Sequence, residues 1–324
     1  MKLKALTLFT ACMLATGSAY AQQDNWPTQP VKLVVGYAPG GPVDTTARVF
    51  AKYLSAELNQ AVVVENRAGA SGMIAAESTS RATPDGYTWN FVASPTMTIT
   101  PLIQRAHTID YDKDFSYVGT LVNYTNVLVI NKDVPVTNIQ ELIDYAKKNP
   151  SAVSFGSAGV GGSNHLSAEL LKQKTGTEML HVPYRGNSPA MVDVIGGKIT
   201  FMFDITSTAI PFIESGQVRP LAVTSRERNA GLPDVPSMIE AGVEDYEVTG
   251  WYALIGPANI PQPIITRVHE AMTKIAKDES FVKQMDASGY TIALSDGEAL
   301  KNRAKNEYAM WDEVIKQAKI LENQ

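Results

Sequence analysis

Strand-like and helix-like stretches alternate along almost the whole chain. Residues 31–37 form an apolar, β-branched run, and residues 45–58 then place apolar side chains at the three- and four-residue spacing of an amphipathic helix. Two C-terminal helices are expected near 263–277 and 296–319. Further strand-like runs lie at 61–65, 87–93, 153–155, 180–182, 199–204 and 220–224. This alternation predicts an α/β protein with mostly parallel sheets.

Two long extended stretches divide the chain. They cover 117–131 and 246–256 and flank the middle third of the 324 residues. A chain of this length exceeds the size at which a single core usually stops growing, so two lobes are expected. Because the two stretches predict two crossings between lobes, we assign 22–123 plus 249–324 to a discontinuous first lobe and 124–248 to a second lobe.

The N-terminal segment has the pattern of a signal peptide. Lys2 and Lys4 precede an apolar run, and the small residues Ala19 and Ala21 mark a cleavage position. The apolar run is roughly a dozen residues long, whereas a membrane span needs about twenty. We therefore expect residues 1–21 to be removed after Ala21 and the protein to be exported to the periplasm.

The composition of the mature chain excludes several chemistries. The single cysteine, Cys12, lies in the leader, so the exported chain can form no disulfide, thiolate nucleophile or sulfur-ligated metal site. The formal net charge is −5, and loss of Lys2 and Lys4 makes it more negative still. This balance disfavours binding to nucleic acid. A local array of donors can nevertheless bind a small anion.

A glycine-rich loop follows the first strand and leads directly into the first helix. It covers residues 37–44, with Gly40 and Gly41 at its centre and Asp44 at its end. Glycine permits positive φ and close approach of the backbone to a ligand. The first N–H groups of a helix, together with its dipole, attract a carboxylate. We expect Asp44 to serve as the N-cap of this helix.

Residues 156–165 repeat the same design in the middle third of the chain. They follow a strand and precede a helix at 166–174 that Gly176 should end. If the lobes face each other, both loops lie at the carboxyl ends of their strands and line one crevice that closes around a ligand. Neither loop is a nucleotide motif, because no Lys follows the glycines and Asn164 replaces the last small residue of a dinucleotide fingerprint. The alternative is that each loop is a simple tight turn.

The sequence offers few candidates for catalysis or metal binding. None of the four histidines forms a metal-binding doublet at i, i+4, and the Gly-x-Ser-x-Gly nucleophile motif is absent. His165 is the histidine placed to contact a ligand, and its alternative role is packing at a helix start. We expect no enzymatic activity, no metal and no cofactor.

Several ordered blocks resemble the Bug or TctC-like extracytoplasmic receptors of tripartite tricarboxylate transport systems. The blocks are 30–41 with Asp44, 64–72, 155–159 with His165, 181–186, 202–204 and 232–237, and together they cover essentially the whole mature chain. The resemblance implies a type II periplasmic-binding-protein fold, in which two α/β lobes are joined by two crossover strands. It also implies that main-chain amides and bridging waters hold a carboxylate in the cleft between the lobes.

Carried over by position, the resemblance assigns ligand contacts to both lobes. In the first lobe these are Tyr37, Ala38, Pro39, Gly40 and Gly41, with Asn66, Gly72, Ser94 and Thr96 nearby. In the second lobe they are Ser157, Ala158, Gly159, Ser163, His165, Tyr184, Arg185 and Asp204. The alternatives are that Arg185 pairs with a surface acid and that Asp204 caps a turn. Asp204 would repel a second carboxylate unless a water or an ammonium group intervenes, so it could discriminate between ligands.

These patterns predict a monomeric periplasmic solute-binding protein. The resemblance implies that it captures a small organic carboxylate, either a di- or tricarboxylate or an aromatic acid such as terephthalate, and delivers it to the membrane subunits of a tripartite tricarboxylate-type transporter. Two alternatives remain open at this stage. One is a periplasmic hydrolase that uses Ser157 or Ser163 with His165, and the other is a protein that presents its ligand to a sensor.

Overall fold

The structure, a computed structural model, describes residues 26–104, 108–150, 152–184 and 186–317. The signal peptide expected at 1–21 and the candidate contact Arg185 therefore lie outside the described residues. Within the described ranges, no helix is both long and apolar enough to cross a membrane.

Nine of the strands in the described ranges occur where the apolar runs predict them, with shifts of a few residues at the ends, and the short strand at Tyr290–Ile292 was not predicted. The strands are β1 (Val31–Val35), β2 (Val62–Asn66), β3 (Thr88–Ala93), β4 (Phe115–Asn131), β5 (Ser154–Ser157), β6 (Leu180–Pro183), β7 (Phe201–Ile205), β8 (Val218–Val223), β9 (Thr249–Pro257) and β10 (Tyr290–Ile292). The order of hydrogen-bonded neighbours is β2-β1-β3-β9-β4-β7-β5-β6, with β8 and β10 also paired to β4.

Strand β4 belongs to two sheets. Its first part, from Phe115 to Thr125, pairs antiparallel with β9 and β10, while its second part, from Asn126 to Asn131, pairs antiparallel with β7 and β8. The first sheet continues through β3 into the parallel strands β1 and β2. The second sheet continues through β7 into the parallel strands β5 and β6. The expected parallel strands thus form the outer part of each sheet, and antiparallel strands join the sheets.

The helices connect these strands. They are α1 (Pro42–Leu58), α2 (Met73–Ser80), α3 (Ser94–Thr98), α4 (Thr100–Ile103), α5 (Ile139–Lys148), α6 (Ser163–Thr175), α7 (Asn187–Ile195), α8 (Thr206–Glu214), α9 (Gln262–Ile275), α10 (Glu279–Ala287) and α11 (Gly297–Gln317). The predicted end of α6 is confirmed, because Gly176 takes the left-handed conformation there, with φ +62°.

Two expectations about the helices are wrong. The N-cap of α1 is Gly41, and Asp44 lies within the first turn of the helix. Its carboxylate instead accepts a hydrogen bond from the backbone N–H of Gly40, outside the helix. The C-terminal region holds α10 between the two expected helices, since Asp278 caps a new helix by accepting from the N–H groups of Ser280 and Phe281.

Separate apolar clusters support the two sheets. The first sheet packs against α1 and α9 through buried residues such as Phe50 and Val268. The second sheet packs against α5 and α6 through residues such as Leu142 and Leu171. The end of α11 contributes Trp311 to the second cluster, although the sequence assigns that helix to the first lobe. The lobe boundaries drawn from the sequence remain a prediction.

Candidate ligand-binding site

The first glycine-rich loop is held by the side chain of Asp44. This buried carboxylate accepts hydrogen bonds from Gly40 N at 2.8 Å, Arg48 Nε at 2.9 Å and Asn66 Nδ2 at 2.7 Å. Burial acts to raise the pKa of Asp44, but the hydrogen bonds from Arg48, Gly40 and Asn66 outweigh it and hold the pKa below its ordinary value. Asp44 is therefore ionised, and its carboxylate fixes the loop through the hydrogen bond from Gly40.

Asn66 braces the same loop from the neighbouring strand. Its Nδ2 also donates to the carbonyl of Tyr37 at 3.1 Å, and its Oδ1 accepts from Arg48 Nη2 at 3.0 Å. Both ends of the amide are thus bonded to protein. Ala38, Pro39 and Gly40 remain exposed at the tip of the loop, with Gly41 half-buried behind them. The backbone of this tip is the part available to a ligand.

Tyr37, Gly72 and Thr96 form a second contact group at the end of the first sheet. The Tyr37 hydroxyl lies 3.1 Å from Thr96 Oγ1, and Thr96 Oγ1 donates to the carbonyl of Ser71 at 2.8 Å. Gly72 has φ +92°, and a Cβ there would lie 2.4 Å from Thr96 Oγ1. The structure therefore brings these three predicted residues together, and Gly72 is required for their close packing.

The second glycine-rich loop is held by Ser157 and His165. Ser157 Oγ accepts from Gly159 N at 3.2 Å and lies 2.6 Å from Nε2 of His181. Nδ1 of His165 accepts from Gly161 N at 3.1 Å. Gly159 has φ +136° and Gly161 has φ +80°, so the backbone turns sharply at both positions. Ala158 and Ser163 are half-buried at the two ends of the turn.

The imidazole rings of His165 and His181 stack on each other and are neutral. Their centroids are 3.9 Å apart with 20° between the planes. Burial lowers the pKa of His165 to about 3, helped by the neighbouring His181 and Lys172. Burial also lowers the pKa of His181 to about 4. The ring of His165 shapes the loop through Gly161, and direct contact of His165 with a ligand remains a prediction.

Asp204 lies at the end of β7 and is almost fully buried. Its carboxylate accepts from Asn187 Nδ2, from Ile205 N at 2.9 Å and from Thr208 Oγ1 at 2.8 Å. Burial raises the pKa of Asp204 to about 6, although these three hydrogen bonds oppose the rise. Asn187 also accepts from Asn164 Nδ2 at 3.1 Å, so Asp204 is connected to the start of α6.

Tyr184 directs its hydroxyl to another partner. The hydroxyl donates to Asp193 Oδ2 at 2.8 Å, and burial together with this carboxylate raises the pKa of Tyr184 to about 12. Its carbonyl lies 3.7 Å from the position of a Cβ on Gly159. Tyr184 is therefore beside the second loop, but its phenol is bonded within the second lobe.

The two sets of predicted residues meet at Tyr124 of β4. Burial raises the pKa of Tyr124, and side-chain hydrogen bonding with Ser94 and Ser163 opposes the rise. Ser94 opens α3 beside the first sheet, and Ser163 opens α6 in the second. A Cβ on Gly161 would also lie 2.1 Å from Cδ1 of Ile103 in α4. The second loop thus packs directly against the first lobe.

Sequence reasoning missed the side chains that join these groups. Asn164 and Asn187 link the second loop to Asp204, and Tyr124 lies between the lobes. A local signal existed for Asn187, which follows Gly186 at the start of a helix. Nothing in the apolar stretch at 117–131 distinguished Tyr124 from its neighbours, because its role depends on partners far away in the chain.

Two α/β lobes that share a long crossing strand and face each other with amide-rich loops define a two-lobed solute-binding protein of the periplasmic type. The model of the tripartite tricarboxylate transporter family receptor, TctC, matches residues 46–320. The chain belongs to this family.

Relatives support the same conclusion over nearly the full length. The UPF0065 protein in the tcbD-tcbE intergenic region of Pseudomonas sp. strain P51 is 33% identical over 316 residues, which is 97% of this chain and 94% of the relative. Rpa4515 of R. palustris with adipate is 33% identical, with a TM-score of 0.85 over 91% of this chain and 98% of that one. MatC of Rhodopseudomonas palustris with bound malate is 27% identical, with a TM-score of 0.78 over 90% of this chain and 100% of that one. These similarities confirm the type II periplasmic-binding-protein fold.

Proposed function

We propose that this protein captures a small organic carboxylate between its two lobes in the periplasm and delivers it to a tripartite tricarboxylate-type transporter. The observation that carries the proposal is the pair of glycine-rich loops, one in each lobe, each leading into a helix start. The close packing of Gly161 against Ile103 of α4 brings the second loop against the first lobe.

Helix starts supply the positive potential that a carboxylate needs. Helices α1, α6, α7 and α8 begin within a few residues of the carboxyl ends of β1, β5, β6 and β7. In open α/β sheets, ligands bind at this edge. The first-turn N–H groups have no carbonyl partner inside their helix, and each helix dipole adds roughly half a positive charge. A carboxylate between the lobes would receive hydrogen bonds from both sides.

The side chains around the glycine-rich loops support recognition of the carboxylate by main-chain N–H groups. Arg48 lies beside the first loop, but its guanidinium is bonded to Asp44 and Asn66. The polar side chains that shape the loops are bonded to protein, and so is the N–H of Gly40, whereas Ala38 is exposed at the tip of the first loop. We infer that backbone donors bind the carboxylate and that the span between the lobes selects among ligands.

The ligands of two relatives suggest a ligand class. Adipate and malate, which are bound to Rpa4515 and MatC, are both dicarboxylates of modest size. For the present chain we propose a di- or tricarboxylate, with an aromatic acid such as terephthalate as a further candidate. The carboxylate of Asp204 is buried and bonded to Asn187, Ile205 and Thr208, so it shapes the second lobe through these partners.

Binding without turnover fits the geometry better than hydrolysis. Nδ1 of His165 accepts from Gly161 N, and the hydroxyl of Ser157 contacts His181. Ser157 is also fully buried, so a substrate carbonyl has no direct approach to its Oγ. The hydrolase alternative requires a product to form, and mass spectrometry after incubation with a bound ligand would detect it.

A binding screen tests the proposal. The mature chain, residues 22–324, would be unfolded and refolded to remove any copurified ligand, then heated with adipate, malate, citrate or terephthalate. A ligand at 100 times its Kd should stabilise the fold by about 2.7 kcal/mol and raise the Tm. Adipamide is the matched control, because it keeps the length of adipate without the charges. Shifts with sugars alone, or equal shifts with adipamide and adipate, would contradict carboxylate binding.

Delivery and export need separate measurements. N-terminal sequencing of the protein from a periplasmic extract should begin at Gln22 if the leader is cleaved as expected. Deletion of the gene should reduce import of the carboxylate that gives the largest thermal shift. Unchanged import, with altered expression of carboxylate-responsive genes, would instead support presentation of the ligand to a sensor.

A further inference from the structure

Gly289 and Tyr290 join the C-terminal part of the chain to both lobes. Tyr290 opens β10, which pairs with β4 opposite Tyr124. Its ring is 3% exposed and lies 5.7 Å from the ring of Tyr252 in the apolar cluster of the first lobe. The backbone and ring of Tyr290 therefore belong to the first lobe.

The hydroxyl of Tyr290 reaches the starts of two helices in different lobes. It donates to the carbonyl of Pro42, the first residue of α1, at 3.4 Å. It also lies 3.2 Å from the hydroxyl of Ser207 in the first turn of α8. Since a phenol has a single proton, one consistent arrangement has Tyr290 donating to Pro42 and accepting from Ser207. One oxygen thus connects the lobes at the edge where the ligand is proposed to bind.

The preceding residue adds two bonds in the same direction. The carbonyl of Gly289 accepts from Thr206 Oγ1 at 3.1 Å and from Asn229 Nδ2 at 3.0 Å, and both donors belong to the second lobe. Gly289 has φ +73°, and a Cβ there would lie 2.7 Å from Thr206 Oγ1. The segment is therefore anchored closely enough to fix the position of the Tyr290 ring.

Electrostatics explains why a bridge through the Tyr290 hydroxyl would stabilise this arrangement of the two helix starts. The starts of α1 and α8 each carry partial positive charge, and two such ends that face one cleft repel each other while no anion lies between them. The phenol oxygen of Tyr290 places negative partial charge beside both helix starts. The bridge therefore opposes separation of the lobes.

We propose that Tyr290 is a positioning residue that keeps the starts of α1 and α8 at the spacing a carboxylate requires. The proposal rests on the proposed function, because the spacing matters for binding only if an anion occupies the cleft. Tyr290 acts through the two helix starts, and neither contact with the ligand nor any chemical step is assigned to it.

The test compares Tyr290→Phe, Ser207→Ala and the double variant, with adipate as the probe. Tyr290→Phe keeps the ring and removes the bridging oxygen, and Ser207→Ala removes its partner. Each single variant should weaken the Kd for adipate by about 3- to 10-fold, which is the effect of losing one hydrogen bond. The double variant should be no weaker than the worse single variant, because both changes remove the same bridge. The dissociation rate should rise while the association rate stays close to that of the wild type.

A matched control separates this role from general stability. Tyr117→Phe removes a phenol bond to the carbonyl of Tyr111 inside the first lobe and should leave the Kd unchanged. Small-angle X-ray scattering without ligand should give a larger radius of gyration for Tyr290→Phe than for the wild type or Tyr117→Phe.

Different results would overturn the two proposals. Wild-type affinity and radius of gyration in Tyr290→Phe, or losses in affinity that multiply in the double variant, would refute the bridge. If the wild type binds no carboxylate at all, the proposed function fails, and the radius of gyration still decides whether Tyr290 holds the lobes together.

Discussion

Asn66 donates from Nδ2 to Oδ1 of Asp44 at 2.7 Å, and Asn187 makes the matching bond to Oδ1 of Asp204 in the other lobe. Both aspartates are almost fully buried. Asp44 has the guanidinium of Arg48 beside it, whereas the groups bonded to Asp204 are neutral. The two pKa values consequently shift in opposite directions. The lobes share a design in which a buried Asp–Asn pair shapes the cleft edge, but they differ in their response to pH.

Removal of the Asp44 carboxylate should loosen the first loop. Asp44→Ala leaves the N–H of Gly40 and the amide of Asn66 without their acceptor, so we expect a loss of about 1–3 kcal/mol in the free energy of unfolding and weaker carboxylate binding. Because the pKa of Asp44 is lowered on folding, this stabilisation is present above about pH 4 and is lost below it. Urea unfolding at several pH values measures the loss of stability and its pH dependence. Asp144→Ala, at an exposed position on α5, is the control and should change neither stability nor binding.

Substitution of Asp204 should also alter the pH dependence of stability, in the direction opposite to that expected for Asp44. The pKa of Asp204 rises from 3.8 to about 6 on folding, so the folded protein binds more protons than the unfolded chain between these values. Ionisation of Asp204 should therefore remove up to about 3 kcal/mol of stability as the pH rises from 4 to 6. Asp204→Asn should lack this loss, which urea titrations at several pH values would detect. Parallel pH profiles for the two proteins would contradict a raised pKa.

Replacement of His165 should separate its ring packing from its hydrogen bond. His165→Phe keeps a flat ring against His181 but removes the acceptor for Gly161 N, so carboxylate affinity should fall. The pKa of His165 falls to about 3 on folding, and the unfolded chain takes up the extra proton first, so the contribution of His165 to stability is lost as the pH falls below about 6.5.

The variant should show a shallower decline between pH 6.5 and 4. His269→Phe, on α9 and outside the site, is the control and should retain wild-type affinity. Equal slopes in His165→Phe and the wild type would show that His165 does not remain neutral on folding.

Gly72 and Gly176 both have positive φ, so a comparison of the two tests the effect of close neighbouring atoms at Gly72. A Cβ on Gly72 would lie 2.4 Å from Thr96 Oγ1, whereas Gly176 has no atom within 4 Å of the corresponding position. Gly176→Ala should cost about 1 kcal/mol of stability and leave binding intact. Gly72→Ala should cost more and weaken carboxylate binding, because the group around Tyr37 and Thr96 must shift. Thermal denaturation and calorimetric titration would measure these effects, and equal behaviour of the two variants would contradict a binding role for the Gly72 contact group.

Much of the fold could be predicted because its signals are local. The apolar runs of β1 and β7 and the periodic face of α1 follow from side chains within a few residues of each other. The end of α6 at Gly176 also depends on a single backbone conformation. The site was predictable at the same level, since a glycine-rich turn between a strand and a helix places free N–H groups at a sheet edge. The helix α10 was missed because it is only 9 residues long, although Asp278 at its N-cap and the apolar pair Phe281 and Met285 are local signals.

The sequence by itself determined the alternation of strands and helices, the two glycine-rich loops and the family resemblance, because each is carried by residues close together or in ordered blocks. Only the tertiary structure decided which polar groups bond to which. Asp44 braces a loop instead of capping its helix, His165 stacks on His181, and Tyr290 reaches Pro42 across 248 positions of sequence. A hydrogen bond depends on the close approach of two atoms, and chain folding sets that approach for residues far apart in sequence.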